Sequence, residues 1–244
     1  NGEGARRCCS IGRSPLENEL RVAVKKVDGG LFSSFANDHL IKGDELEVLP
    51  PTGKFNTRLD RGQAKNYLAF AAGSGITPVI SIIKTTLQTE LNSQFTLVYG
   101  NRSRNSIIFF EELEALKNEY LQRFNLIHIL SRERTDTVLN YGRINREKLV
   151  ELEKIIHYKK MDEIFICGPE EMIFTVKDFM EELGINVRKI HFELFTTPGQ
   201  KQSTDRLQKI VSADDGQAQS MITVKLDGRS FDFNLGFNSE PILD

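Results

Sequence analysis

The sequence predicts a multidomain protein in which a β segment precedes a doubly wound α/β domain. From residue 66 onward, short apolar runs alternate with amphipathic stretches, as in a parallel sheet covered by helices on both faces. Before that point, the chain shows β-branched segments of period two. A glycine-rich turn after the first apolar run marks the start of the α/β part.

The early segment is predicted to be β-structure. Residues 19–27 and 44–49 alternate between apolar and polar side chains, and glycine-containing turns at residues 29–30 and 42–43 bound them.

The α/β part is predicted to contain five strands and four helices. We expect strands at residues 67–72, 95–100, 124–130, 163–168 and 189–195, and helices at residues 78–91, 110–123, 146–156 and 170–183. In such a domain the ligand crevice lies at the carboxyl ends of the strands.

The C-terminal part is predicted to contain a linker and a hairpin. Residues 196–220 are polar and rich in Gly, Ser and Gln, as linkers are. Residues 221–235 alternate around Asp227-Gly228, a hairpin signal, and residues 239–244 resemble a helix start. Because a hairpin cannot bury a core alone, we expect it to begin a further domain.

Composition argues against several classes of function. The formal net charge of −2 gives no sign of a nucleic-acid partner, and no apolar run approaches the length of a membrane span. Three cysteines form no disulfide framework, which favours the cytoplasm. The four histidines show no metal-ligand spacing, so no metal ligands are predicted. The chain opens at Asn1, and we expect the gene product to begin earlier.

The turn Gly73-Ser74-Gly75-Ile76-Thr77-Pro78 is a candidate phosphate site. Its backbone N–H groups and the following helix dipole would favour an anion, and glycine lets a pyrophosphate approach closely. Thr77 is predicted to cap the helix and Pro78 to be its first residue. A plain tight turn fits the pattern equally well. The spacing of a nucleophile elbow and the Gly-Lys of a P-loop are both absent.

A second candidate crevice loop contains Cys167-Gly168-Pro169, again between a strand and a helix. The alternative is a small buried cysteine before a proline-started helix.

Basic residues follow the second and third strands of the α/β part. Arginine clusters with hydrogen-bonding neighbours suit the 2′-phosphate of NADP better than the ribose hydroxyls of NAD. The alternative is ordinary surface arginine. These residues are Asn101, Arg102, Arg104, Ser131, Arg132 and Arg134.

Taken together, the motifs GxGxxP, YGNR, SRE, CGPxxM and HxExF resemble the ferredoxin–NADP reductase superfamily. The early segment resembles its flavin barrel through Arg7-Cys8-Cys9-Ser10, the loop from Gly30 to Ser33 and the turn from Pro50 to Phe55. Residues 224–244 resemble the start of a plant-type [2Fe-2S] ferredoxin domain. That domain order is typical of oxygenase reductases.

The resemblance implies site residues. Arg7, Ser33 and the backbone of Gly30 would hold the FAD pyrophosphate, Ser10 would lie near flavin N5, and Cys9 occupies the flavin-stacking position. Cys167, with its neighbour Gly168, would lie by the nicotinamide, and Glu193 and Phe195 near the flavin. Ser10, Cys167 and Glu193 are the implied catalytic group. The implied NADP contacts are Gly73, Gly75 and Thr77 at the pyrophosphate and Arg102, Ser131 and Arg132 at the 2′-phosphate.

The resemblance also implies four parts: a flavin barrel at residues 1–62, an NAD(P) domain at 63–196, a linker at 197–220 and the start of a ferredoxin domain at 221–244.

The sequence departs from the family's pattern in three places. Cys9 replaces the family's stacking tyrosine, too few residues precede the nucleotide domain for a complete barrel, and the CxxxxCxxC cluster motif is absent. We therefore expect further sequence at both ends or internally.

The leading hypothesis is an FAD-dependent reductase that takes hydride from NADPH and passes electrons through an iron–sulfur domain to an oxygenase. An NADH-linked reductase of another oxygenase is the alternative within enzymes. A module of the same fold that binds flavin or nucleotide without turnover is the alternative from another class.

Overall fold

The computed structural model describes residues 7–194 and the backbone of residues 219–226 and 229–236. The chain divides into two compact units, residues 1–195 and 196–244, and each is treated separately.

The first unit is built on a five-stranded parallel sheet. The order is β3-β2-β1-β4-β5. Strands β2 and β3 are added on one side of β1, and β4 and β5 are added on the other side, so the topological switch point lies between β1 and β4. The predicted doubly wound parallel sheet is thereby confirmed, and its switch point places the crevice beside the carboxyl ends of β1 and β4. The strands are β1 (Asn66–Ala72), β2 (Gln94–Asn101), β3 (Phe124–Leu130), β4 (Glu163–Gly168) and β5 (Ile190–Leu194).

The described part of the first unit, residues 7–194, contains five α-helices: α1 (Leu31–Asp38), α2 (Ile76–Thr89), α3 (Phe110–Glu119), α4 (Arg146–Leu152) and α5 (Glu170–Glu182). Helices α2 and α3 cover one face of the sheet, and α4 and α5 cover the other. Residues 67–71 of β1 are at most 1% exposed, which explains the near-continuous apolar strands. Short 3₁₀ turns are Pro15–Glu17, Gly73–Gly75, Arg104–Ser106, Val138–Asn140, Tyr158–Lys160 and Val187–Lys189.

Helix α4 ends at Leu152, earlier than predicted. The amides of Ile155 and Ile156 both bond to the Leu152 carbonyl, so the chain turns there. The hydroxyl of the buried Tyr158 donates to the Leu149 carbonyl at 2.9 Å and satisfies an acceptor of the last turn. Helix α3 also ends early, at Glu119.

The predicted strands at residues 19–27 and 44–49 are wrong. Between residues 7 and 65 the structure shows α1, one 3₁₀ turn and a single isolated bridge that pairs Ile11 with Val22. Period-two alternation produces a strand only where a neighbouring strand accepts its hydrogen bonds and a second layer covers its apolar face. Leu20 is 72% exposed and Val48 74% exposed, so no described layer covers them.

The second unit contains the predicted hairpin. Strand β6 (Gln219–Leu226) pairs antiparallel with β7 (Arg229–Gly236), with Leu226 opposite Arg229. Strand β6 begins before the end of the predicted linker. The rest of the linker, residues 227–228 and the predicted helix start at residues 239–244 lie outside the described residues. Within the described chain, no helix is both long and apolar enough to cross a membrane.

Candidate active site

The turn after β1 lies at the mouth of the crevice. Gly73 has φ +54°, a left-handed conformation that favours glycine, and a Cβ added there would meet no atom within 4 Å. The space above the turn is therefore open, as an anion site requires.

The predicted capping role of Thr77 is wrong. Gly75 occupies the N-cap position in a helical conformation, so the 3₁₀ turn runs directly into α2 and the helix begins at Ile76. Thr77 is buried inside the first turn, where its hydroxyl donates to the Ser74 carbonyl at 3.0 Å. Pro78 is tolerated in that turn because first-turn amides have no partner within the helix.

Gly75 was predicted to contact the NADP pyrophosphate, and the structure shows a packing role for it. An added Cβ would lie 2.2 Å from the Cys167 carbonyl oxygen and 2.8 Å from the Gly168 amide nitrogen. This glycine therefore allows the turn to pack against the backbone at the end of β4. At Gly168, an added Cβ would lie 3.1 Å from the Ala72 Cβ. The two predicted crevice loops are thus in direct contact.

Cys167 lies in the middle of this contact. In the sheet register it is opposite Ala71 of β1 and Glu193 of β5, and its side chain is completely buried. Burial, together with the charge of Glu193, raises the pKa of the thiol well above its ordinary value. The thiol is therefore neutral at physiological pH and unsuited to act as a nucleophile.

Ser10 joins the early segment to the sheet. Its hydroxyl donates to Oε2 of Glu193 at 3.2 Å. Burial raises the pKa of the Glu193 carboxyl, and the hydrogen bond from Ser10 opposes part of that rise. Ser10, Cys167 and Glu193 are thus brought together at the carboxyl edge of β4 and β5.

An ion-pair cluster, missed by sequence reasoning, holds the same segment against the helices. Lys84 of α2 is buried, and its Nζ lies 2.8 Å from Glu17 Oε1 and 2.6 Å from Glu112 Oε1. Arg13 Nη1 lies 2.7 Å from Glu17, and the Ser81 hydroxyl donates to the Arg13 carbonyl at 2.7 Å. The sequence feature that could have indicated this cluster is a lysine inside the largely apolar stretch ISIIKTTL.

The arginine clusters converge at one edge of the sheet. The Ser131 amide donates to the Asn101 carbonyl at 2.9 Å, and the Arg132 amide to the Arg102 carbonyl at 2.8 Å. Arg102 and Arg132 are exposed. The Arg104 guanidinium lies 4.7 Å from the Phe110 ring centroid. The three residues predicted to contact a 2′-phosphate therefore lie on adjoining loops.

The predicted FAD pyrophosphate loop forms the start of α1. Gly30 is the N-cap, and an added Cβ there would lie 2.4 Å from Ser33 Oγ. Ser33 Oγ accepts from the Val27 amide at 3.1 Å. Within residues 7–194, no hydrogen bond joins this loop to Ser10. Arg7 and Cys9 are exposed, and Phe195 lies outside the described residues.

The turn predicted to close the barrel lies against β4 and β5. Phe55 packs edge-on against Phe165, with ring centroids 5.4 Å apart. Lys54 and Phe55 line a cavity of about 350 Å³ with β5 residues that include Glu193. Among the described side chains, no group of three or more His, Cys, Asp or Glu could hold a metal ion.

The glycine turn, the buried Cys167 thiol and the Glu193 carboxylate lie together at the carboxyl edge of a parallel α/β sheet, where domains of this fold bind nucleotides. The family model described as the oxidoreductase NAD-binding domain matches residues 70–178.

Similar proteins are components of oxygenase systems. The chain is 45% identical over 246 residues to a component of the 1,2-phenylacetyl-CoA epoxidase of Escherichia coli K12, covering 100% of this chain and 67% of that protein. It is 34% identical to the ferredoxin reductase component of the Rhodococcus rhodochrous 3-ketosteroid-9-alpha-monooxygenase, covering 91% of this chain and 60% of that protein.

Solved structures share the fold. A cytochrome P450 reductase from Amycolatopsis superposes with a TM-score of 0.70 at 23% identity, covering 80% of this chain and 58% of that one. The FAD/NAD-binding domain of a Vibrio cholerae nitric oxide dioxygenase gives a TM-score of 0.64 at 25% identity, covering 78% of this chain and 76% of that one.

The chain belongs to the ferredoxin–NADP reductase superfamily, whose members are FAD-dependent NAD(P)H oxidoreductases. The resemblance drawn from the motifs and the prediction of an oxidoreductase are confirmed. The chain spans 67% and 60% of the lengths of the two curated relatives described above.

Proposed function

We propose that this chain is part of the reductase component of an oxygenase. It would transfer electrons from NADPH through FAD and a [2Fe-2S] domain to an oxygenase component, and that oxygenase would be a phenylacetyl-CoA epoxidase. The observation that carries the proposal is the convergence of Ser10, Cys167 and Glu193 beside the open turn at Gly73. The 45% identical relative supports the choice of oxygenase.

The nicotinamide nucleotide would lie across the carboxyl edge of the sheet. The open side of Gly73 and the first-turn amides of α2 would hold its pyrophosphate, with Gly75 and Thr77 shaping the turn. Arg102, Ser131 and Arg132 would hold the 2′-phosphate. Cys167, with Gly168 beside it, would set the position of the nicotinamide ring. A neutral buried thiol suits that task, because hydride transfer depends on alignment rather than on acid–base chemistry.

The flavin would lie on the side of Ser10 and Glu193. FAD, when bound, converts the two-electron hydride supply into single-electron release. The Ser10 hydroxyl, held by Glu193, would present a hydrogen-bonding group toward the ring, and Phe195 would follow on the same strand. Arg7, Gly30 and Ser33 would hold the pyrophosphate of FAD. Since Cys9 replaces the stacking tyrosine, another residue would form the wall of the flavin pocket.

The domain limits belong to the same proposal: an incomplete flavin barrel at residues 1–62, an NAD(P) domain at 63–196, a linker at 197–220 and the start of a ferredoxin domain at 221–244. The antiparallel β6–β7 hairpin supports the last assignment. None of the three cysteines has the cluster spacing, so these 244 residues do not supply the cluster ligands. The three free thiols support a cytoplasmic location.

The test uses the full-length gene product. We expect a coloured protein that contains FAD, iron and labile sulfide, that is bleached by NADPH and that reduces the epoxidase oxygenase component. A protein that binds flavin but is not bleached by either coenzyme is the module without turnover. Reduction of a different oxygenase, with the epoxidase left oxidised, contradicts the choice of partner.

Coenzyme choice has its own test. Arg132→Ala and Arg102→Ala each remove a charge-assisted contact worth about 1.5–3 kcal/mol, so the KM for NADPH should rise by about one to two orders of magnitude. The KM for NADH should change little. Equal effects on both coenzymes would show that the arginines are bystanders and favour the NADH-linked alternative.

A further inference from the structure

Glu133 is an acidic residue between two arginines of the proposed 2′-phosphate site. It follows Arg132 and precedes Arg134, and it is half-buried. A carboxylate in such a place repels a phosphate dianion, so a site made only for attraction would not contain it. The acid belongs to the SRE motif, and the motif alone assigns it no role.

The structure shows what the carboxylate does. Glu133 Oε2 accepts a hydrogen bond from the backbone amide of Arg104 at 2.8 Å. Arg104 is the first residue of the 3₁₀ turn that follows β2, and its amide therefore has no partner within the turn. Because Glu133 belongs to the loop after β3, this bond crosses from one loop to the other.

Two backbone bonds already join these loops, from Ser131 to Asn101 and from Arg132 to Arg102. The Glu133 bond adds a third connection on the side away from the sheet, where strand pairing has ended. Three connections fix the relative position of the loops that carry the two exposed arginines.

We propose that Glu133 is a positioning residue that sets the preference for a 2′-phosphorylated coenzyme. Its carboxylate ties the two loops together and holds Arg102 and Arg132 at a spacing suited to one phosphate dianion. Preorganisation of this kind raises affinity by lowering the cost of ordering the side chains on binding. The inference rests on the proposed coenzyme site.

Two substitutions separate the effect of the hydrogen bond between Glu133 and the Arg104 amide, here called the tie, from the effect of the negative charge of Glu133. Glu133→Gln keeps a side-chain oxygen that can accept from the Arg104 amide and removes the negative charge. Glu133→Ala removes both. Asp136→Asn is the matched control, because it removes an exposed negative charge from the same loop.

The measurement is calorimetric binding of 2′-phospho-AMP and of AMP to the full-length holoprotein. We expect Glu133→Ala to weaken 2′-phospho-AMP about tenfold or more, which is the scale of a lost hydrogen bond to a charged group. AMP should change less than about twofold by the same argument, since it lacks the 2′-phosphate. Glu133→Gln should restore binding to the parent level or tighter, and Asp136→Asn should stay near the parent. AMP binding also reports that each variant is folded.

Two results overturn the inference. Equal binding of 2′-phospho-AMP by Glu133→Gln and Glu133→Ala, at or above the level of the parent, shows that the hydrogen bond to Arg104 has no role, because both variants lack the charge and only the first keeps the acceptor. Equal weakening in Glu133→Gln and Glu133→Ala shows that the tie is not what positions the arginines. Arg132→Ala separates this failure from that of the proposed function: if that variant also binds 2′-phospho-AMP normally, the coenzyme site itself is wrong.

Discussion

The strands of the sheet and the earlier segment, residues 7–65, differ in how far they bury their apolar side chains. Residues 67–71 of β1 are at most 1% exposed, whereas Leu20, Val48 and Leu49 in the earlier segment are at least 72% exposed. Both regions carry the sequence pattern of β-structure. The difference is that the βαβ units place helices over both faces of the sheet, whereas the described residues 7–65 form one isolated bridge and no layer that covers these side chains.

The earlier segment is joined to the sheet domain largely by polar contacts. The Lys84 cluster and the Ser10–Glu193 bond hold it, together with the ring contact of Phe55. Substitutions on the two sides should therefore behave differently: those in the sheet domain change folding, and those at the polar contacts change how the segment is held.

The largest effect is expected from Gly75→Ala. A Cβ would lie 2.2 Å from the Cys167 carbonyl oxygen, and backbone on both sides must move. Overpacking of this kind costs about 1–3 kcal/mol, and we expect the upper end, measured as the urea unfolding free energy of the full-length protein. Gly62→Ala is the control, since the nearest atom to its added Cβ is the Asp60 carboxylate at 3.4 Å. Equal stability of the two variants would show that the loops are not packed as described.

The packing role of Gly75 is a feature of the sheet domain that the sequence alone could not predict. The five strands followed from local apolar runs, and the predicted and observed bounds of 124–130 and 163–168 coincide. Local patterns could not show that β4 returns beside β1, so the glycine was assigned to ligand approach rather than to contact with Cys167. The N-cap prediction for Thr77 failed because a 3₁₀ turn precedes α2.

The residues of the candidate site also fall into two groups, those that could be predicted from the sequence and those that could not. The family resemblance implied a catalytic group of Ser10, Cys167 and Glu193, and the structure brings these residues together. Lys84 and Glu133 were missed because their roles depend on partners distant in sequence: Glu17 and Glu112 for Lys84, and the Arg104 amide for Glu133. Strands at residues 19–27 were predicted wrongly because alternation does not specify a pairing partner.

Lys84→Met tests the polar attachment of the early segment. Methionine keeps the apolar stem, but Glu17 and Glu112 then face each other without the buried ammonium group. Loss of one partner of a fully buried pair costs about 3–5 kcal/mol, and the partial exposure of both carboxylates reduces our expectation to about 2 kcal/mol.

The exposed Lys154→Met is the control for Lys84→Met. We expect NADPH-dependent turnover to fall with the Lys84 variant, since Ser10 lies on the loosened segment. Equal unfolding free energies for the two lysine variants would show that the cluster does not hold the segment.

Cys167→Ala tests the sheet side of the site without changing the early segment. The thiol is neutral and buried, so its contribution is shape, and we expect turnover with NADPH to fall about tenfold through poorer alignment. FAD content and the affinity for NADPH should stay near those of the parent. Loss of FAD, or unchanged turnover, would make Cys167 a core residue only.

The smallest expected effect is the pH dependence of the Ser10–Glu193 contact. Burial raises the pKa of Glu193, so the native state binds that proton more tightly than the unfolded chain does. At low pH the carboxyl is protonated in both states, and this residue contributes no pH dependence. As pH rises from the ordinary glutamate value of about 4.5 toward the raised native value, the parent should lose stability relative to Glu193→Gln. Above that window the difference should stay constant.

Urea unfolding midpoints of the parent and Glu193→Gln between about pH 4 and pH 8 measure this difference. Ser10→Ala sharpens the measurement, because it removes the hydrogen bond that lowers the pKa of Glu193, and the decline should then extend to higher pH. A parent that gains stability over Glu193→Gln as pH rises would mean that the carboxylate is better stabilised in the native site than in water. The two regions would then be joined at Ser10 by a strong charged hydrogen bond rather than by a half-buried one that burial weakens.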